Sequence, residues 1–217
     1  MQLFRLDASI RTEGSHSSQM ADIVEQEWRD AHPDGRVITR HLGKDPIAST
    51  IWPLAVMAAY TPSNERTPQQ RDALALVAEL TDELLDADAI IVAAPLYNYG
   101  VSQHLKAWVD LIITDSRMSA ETSPLAGKPA VLVTARGGAY GAGTPREGWD
   151  HATPWMRRIF ADVFQLDLRI VEAEFTLVGV NPALDEFKEL AATMRAAAET
   201  TAREYGRAIA RSEGTAA

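Results

Sequence analysis

At 217 residues, 46% apolar and 24% charged, the chain has material for one sizeable core and predicts a single domain over 1–212 with a frayed tail at 213–217. A formal net charge of -9 with no run of Lys or Arg argues against a nucleic-acid backbone or an anionic membrane surface as partner. The absence of cysteine excludes disulfides, thiolate ligands and a cysteine nucleophile and suits a cytoplasmic protein, and no apolar run reaches the length of a membrane span.

The opening residues already read as a core strand, "LFRLDA" (3–8), and not as a signal peptide. A polar loop over 9–17 leads into a helix with Met20, Ile23, Val24, Trp28 and Ala31 on its apolar face. Pro33, Asp34 and Gly35 turn the chain into a second strand, "RVITRHL" (36–42). The piece that follows, up to residue 66, reads as irregular.

Thr67 then predicts a helix cap with Pro68 at the first helical position, where its missing N–H costs nothing, and Leu74, Val77, Leu80, Leu84 and Leu85 follow. "AIIVAAP" (89–95) and "PAVLVTA" (129–135) are apolar almost throughout, as parallel strands covered on both faces are. Between them lies a helix capped by Ser102 and carrying Leu105, Trp108, Val109 and Ile112. Thr153 and Pro154 repeat the Thr-Pro start ahead of Trp155, Ile159, Val163 and Phe164. "LRIVEAEF" (168–175) is a fifth strand, and Asn181 with Pro182 opens a long helix bearing Leu184, Phe187, Leu190, Ala191 and Met194 on one side.

Five strands alternating with five helices predict an α/β three-layer sandwich: a five-stranded parallel sheet in the flavodoxin-like order 2-1-3-4-5 with helices on both faces. Ligands of such sheets bind at the carboxyl ends of the strands, where strand order reverses. Three loops therefore carry the functional question. The first, "SIRTEGSHSS", brings the hydroxyls of Ser9, Ser15 and Ser17 to a helix N-terminus, where free N–H groups favour a phosphate; Ser15 or Ser17 equally suits a plain N-cap. The Gly-rich spacings of a dinucleotide fold or a P-loop are missing.

In the second loop, Pro95 ends the strand and Tyr97, Asn98, Tyr99 and Gly100 offer backbone donors, an amide and flat faces suited to a planar heteroaromatic ring. Two tyrosines packing at a helix entrance would look the same. The third loop, "TARGGAYGAGTP", holds Gly137, Gly138, Gly141 and Gly143, which let backbone approach a ligand, while Arg136 also suits a surface ion pair. The histidines show no metal-ligand spacing such as HExxH, so no metal is expected. His41 and His104 read as structural, and Asp82, Glu83, Asp86 and Asp88 as a solvated face.

Ser9, "SHS" at 15–17, "PLYNY" at 95–99 and "ARGG" at 135–138 together resemble the FMN-dependent NADH azoreductases, a flavodoxin-like quinone reductase family, over nearly the whole chain. The resemblance implies that Ser9, Ser15, His16 and Ser17 hold the FMN phosphate. Pro95, Leu96, Tyr97, Asn98 and Tyr99 would wrap the isoalloxazine, with Ala135, Arg136, Gly137 and Gly138 at its pyrimidine side. Ala135, Tyr99 and Tyr140 depart from the family's frequent Ser, Phe and His, and the last two changes touch the open flavin face.

The implied activity is ping-pong transfer of two electrons from NADH or NADPH through FMN to a quinone, azo or nitro compound. The family expectation is also of a homodimer with the sites at its interface. The segment with Ile47, Ile51, Trp52, Pro53, Leu54, Val56 and Met57 is too apolar for a solvated loop and must cover something. Trp52, Tyr60, Tyr99 and Tyr140 are the candidate substrate wall, although Trp52 also suits plain core. The competing reading is a flavodoxin-like electron carrier that binds FMN without an acceptor pocket of its own.

Overall fold

Five parallel strands run in the order β2-β1-β3-β4-β5: β1 Gln2–Asp7, β2 Arg36–His41, β3 Ala89–Pro95, β4 Pro129–Ala135 and β5 Asp167–Ala173. The computed structural model describes residues 1–119, 121, 123–144 and 146–211, so the tail at 213–217 lies outside the described residues. β3 and β4 are buried at every position, which explains their unbroken apolar runs. Register places Leu6 beside Val92 and Val92 beside Leu132, so successive side chains feed two separate cores.

On one face Leu3, Ile91, Val131, Val133 and Val171 meet the helices α1 His16–Ala31 and α6 Lys188–Arg211. On the other, Phe4, Leu6, Ile90, Val92 and Leu132 meet α2 Ile51–Ala59, α3 Pro68–Leu85, α4 Gln103–Thr114 and α5 Ala152–Arg157. Burying a large apolar side chain in such a layer contributes about 1.5–3 kcal/mol, and Trp28 and Trp108 are both fully buried. Thr67 and Gln70 form a capping box at the α3 start, with Pro68 at the first position, as the sequence predicts.

Several expectations need correction. α2 occupies part of the segment read as irregular; it has no side-chain cap and is apolar nearly all round, so neither a start signal nor a period marks it. Pro53 is tolerated because it sits in the first turn, where its N–H has no partner to lose. α5 starts at Ala152, one residue ahead of the Thr153 cap position. The Asp150 carboxylate accepts from the Ala152 and Thr153 amides, both at 2.9 Å. A π turn over Arg158–Val163 then shifts the register and leaves Val163 exposed while Phe160 and Phe164 stay buried.

Asn181 does cap a helix, but it is a short 3-10 turn, Pro182–Phe187, and α6 begins only at Lys188. Its buried face is Ala198, Ala202, Gly206, Ile209 and Ala210, whereas Leu190 is exposed. Small residues let α6 approach α1 closely: a Cβ on Gly206 would stand 2.7 Å from the Val24 carbonyl oxygen. A search for large apolar side chains passes over such a face. The acids read as a solvated face are indeed exposed or half-buried, and three of them also hold partners. Glu83 receives a forked contact from Arg40 at 2.8 and 2.7 Å, Asp82 pairs with Arg117 at 2.6 Å, and Asp88 accepts from the Gln2 amide at 2.6 Å.

Candidate active site

The loops that leave β1, β3 and β4 meet at one cleft of about 320 Å³ at the carboxyl edge of the sheet. From the first loop come Ser9, Arg11, Ser15, His16 and Ser17. Ser15 is indeed the N-cap of α1, its Oγ accepting from the Ser18 amide at 3.5 Å, yet it also lines the cleft 3.1 Å from Ser17 Oγ. Ser9, Ser15 and Ser17 are buried, and the amides of the first helical turn have no intrahelical acceptor.

This cradle is anchored from behind. Ser18 Oγ donates to Asp7 at 2.6 Å, and Arg5 holds the same carboxylate at 2.8 Å, so the first turn of α1 is tied to the end of β1. A Cβ on Gly43 would collide with the Ser9 carbonyl, so glycine there lets the chain after β2 close against the loop. Burial, and then the charges of Arg195 and Arg11, push the His16 imidazole below its ordinary value.

The second loop contributes Pro95, Leu96, Tyr97, Asn98 and Tyr99. Tyr97 and Gly100 exchange backbone hydrogen bonds at 3.0 and 2.9 Å around a two-residue turn whose central residues, Asn98 and Tyr99, have φ of 48° and 67°. Two positive φ values in succession match a type I′ turn, a conformation Asn accepts and Tyr resists. The turn's own bonds use neither the Asn98 nor the Tyr99 amide. The Tyr97 hydroxyl reaches across to the first loop.

The third loop divides. Ala135, Gly137 and Tyr140 line the cleft, whereas Gly138 and Arg136 do not. The Arg136 guanidinium is buried beneath the cleft, 2.9 Å from Asp150, 2.7 Å from Glu172 and 3.2 Å from Glu174. Burial pushes the Asp150 carboxyl up, but the Thr153 amide and hydroxyl together with Arg136 bring it below the usual carboxylate range. Gly137 lies against the chain leaving β5, where a Cβ would stand 2.6 Å from Leu177 Cδ1.

That fourth segment supplies Thr176, Leu177 and Val180 to the cleft, and Arg11 and Arg146 add its two guanidinium groups. None of these five residues is singled out by the sequence motifs. Thr176 and Leu177 reach the site because their amides donate to the Arg136 and Gly137 carbonyls at 3.1 and 3.2 Å. Trp149, likewise unforeseen, packs edge-on to Tyr99 with centroids 5.4 Å apart, and Tyr99 meets Tyr140 at 6.4 Å. Trp52 and Tyr60 are not in this cleft: Trp52 lines a separate depression with Ile47, Lys106 and Leu111, and Tyr60 is 83% exposed at the end of α2.

The donor set fits a flavin mononucleotide. Buried hydroxyls and helix amides suit its phosphate, and Pro95, Leu96, Ala135, Leu177 and Val180 are apolar contacts for a flat ring. No Asp or Glu is among the described residues lining the cleft, so an anion meets only positive or neutral groups.

Sheet order and cleft position define a flavodoxin-like protein that takes its ligand at the switch point. The family model for the flavodoxin-like fold matches residues 1–198. An FMN-dependent NADH:quinone oxidoreductase of Frankia casuarinae is 40% identical over 204 residues, covering 93% of this chain and 96% of its own. Its counterpart in Frankia alni is 39% identical with the same coverage. The crystal structure of an FMN-dependent NADH-azoreductase from Bacillus anthracis in complex with FMN shares the fold, with a TM-score of 0.76 at 16% identity over 95% of this chain and 100% of that one. The chain belongs to the flavodoxin-like family, among the relatives of the FMN-dependent NADH:quinone oxidoreductases.

Proposed function

We propose that this protein is an FMN-dependent NADH:quinone oxidoreductase of the azoreductase type, working in the cytoplasm as one domain over 1–212. The observation that carries the reading is the convergence of three strand-end loops on one cleft whose hydroxyls, amides and apolar walls suit a flavin. FMN, when bound, supplies the two-electron chemistry between a nicotinamide donor and a quinone, azo or nitro acceptor.

The chain's own part is position and electrostatics. Ser9, Ser15, His16 and Ser17 receive the phosphate at the positive end of α1. The apolar residues Pro95 and Leu96 and the Tyr97–Gly100 turn hold the ring, and the Asn98 and Tyr99 amides present donors that stabilise negative charge at its edge. Ala135 and Gly137, which line the cleft, would bring backbone close to the ring, whereas Arg136 and Gly138 would act from outside the lining. Tyr99 and Tyr140 would bound the open face of the ring, where a nicotinamide and then an acceptor would bind in ping-pong order.

Partnership with a second copy is supported by the apolar surface that α2 and α4 leave uncovered: Trp52, Met57, Tyr60 and Ile113 are all exposed. In a homodimer Trp52 and Tyr60 would serve the partner's substrate wall. Anaerobic mixing of purified protein with NADH and with NADPH tests the reading. Loss of the flavin's visible absorbance, followed by its return on adding menadione, is the expected result; no bleaching with either nucleotide overturns it. Sustained turnover with a soluble quinone and no protein redox partner separates an enzyme from an electron carrier.

A further inference from the structure

We infer that Arg146 makes the cleft selective for acceptors that carry an anionic substituent, such as sulfonated or carboxylated quinones and azo compounds. The inference rests on the reductase reading above and names the substrate class for that site. Arg146 lines the cleft from its exposed rim, with its guanidinium carbon 5.8 Å from the centre of the Tyr140 ring and Nη1 3.3 Å from the Tyr140 hydroxyl. The ring therefore holds the cation in place by contact and by a hydrogen bond.

The acids of the neighbouring chain are all engaged elsewhere. Glu147 accepts from the Gly143 amide at 2.8 Å, and Glu174 accepts from the Tyr140 amide at 3.1 Å and pairs with Arg136. Asp150 is occupied by Arg136, the Ala152 and Thr153 amides and the Thr153 hydroxyl. Among the described residues no carboxylate pairs with Arg146, in a chain with a net charge of -9. A positioned cation without a carboxylate partner at the mouth of an acid-free cleft is a receptor for an anion.

The FMN phosphate does not account for it. The phosphate cradle lies on the loop after β1, which has its own cation in Arg11, whereas Arg146 stands on the loop after β4. There it adjoins the aromatic group of Tyr140, Tyr99 and Trp149, which supplies flat faces to a conjugated ring. A planar acceptor bearing an acidic group matches both features together: its ring lies against the tyrosines and its anion meets the guanidinium fork.

The test uses FMN-loaded wild-type protein, Arg146→Gln and Arg146→Lys. Calorimetric titration with anthraquinone-2-sulfonate gives affinity, and steady-state turnover compares 1,4-naphthoquinone-2-sulfonate with uncharged menadione. Loss of the charge-assisted contact is expected to weaken sulfonate binding in Arg146→Gln by about tenfold and to lower the anionic-to-neutral kcat/KM ratio by a similar factor. Lys should keep part of both. If binding and the ratio match wild type in Arg146→Gln, or if only the NADH step slows, the inference is overturned. Should FMN-loaded wild type fail to oxidise NADH, the reductase reading falls, and the calorimetric comparison still decides for or against Arg146.

Discussion

The Tyr97 hydroxyl lies 3.0 Å from Ser9 Oγ and also accepts from the Ile10 amide at 3.2 Å. One phenol thus joins the loop after β3 to the loop after β1, and the proposed phosphate cradle and ring turn are fixed relative to each other. Tyr97→Phe removes the strut, keeps the ring and leaves the Ile10 amide without this acceptor. The FMN Kd, followed by recovery of flavin fluorescence, should rise five- to tenfold, corresponding to about 1–1.5 kcal/mol for one hydrogen bond. An unchanged Kd would show that the two loops hold their places without it.

The Tyr97–Gly100 turn separates backbone from side-chain roles. Asn98 has a positive φ, so Ala there meets a backbone conformation it resists, while Gly adopts it freely. Asn98→Ala should cost about 1 kcal/mol of stability and weaken FMN retention. Asn98→Gly should retain FMN close to wild type if the amide N–H is the working group. Equal flavin loss from both variants would assign the role to the Asn98 side chain instead. Replacing Tyr97 and Asn98 together by Ala should strip flavin on dialysis while the circular dichroism spectrum persists.

The sheet and the cleft's centre were legible because their signals are local. β3 and β4 announce themselves as unbroken apolar runs, and Thr67 and Pro68 mark a helix start by chemistry within one turn. Ser9, Ser17 and Tyr97 follow from sitting at strand ends once strand order is known. Leu177 and Val180 were not legible, since the chain after β5 reaches the cleft only through hydrogen bonds to the Arg136 and Gly137 carbonyls and through the space that Gly137 leaves. The burial of Arg136 is illegible for a related reason: nothing in "TARGG" tells that Glu172 on β5, Glu174 just beyond it, and Asp150 will pair with it. Long-range pairing of that kind has no sequence period.

Arg136 is the link between the third loop, β5 and the start of α5. Asp150 and Glu174 are both well buried, so deleting the cation leaves two carboxylates with no compensating charge at short range. Arg136→Met should lower unfolding stability by about 3–5 kcal/mol, the cost of breaking a buried pair from one side. Urea denaturation of the apoprotein measures it. A loss below about 1 kcal/mol would mean that the carboxylates are rehydrated or protonated at little cost.

His16 offers a pH test whose direction follows from its surroundings. It is partly buried, and Arg195 and then Arg11 add to the opposition to its charge, so its folded value lies below 6.5. Between the folded and unfolded values the unfolded chain binds the proton and the folded one does not. The stability that His16 contributes is therefore complete above its unfolded value and is lost as pH falls through the folded one. Acidifying wild-type apoprotein from about pH 7.5 to about pH 5.5 should lower Tm more than in His16→Gln, which carries no such group. FMN should narrow the difference, because a phosphate beside the imidazole favours its protonated form. Parallel Tm curves for the two apoproteins would remove His16 from this titration, and an identical gap with and without FMN would place the phosphate away from α1.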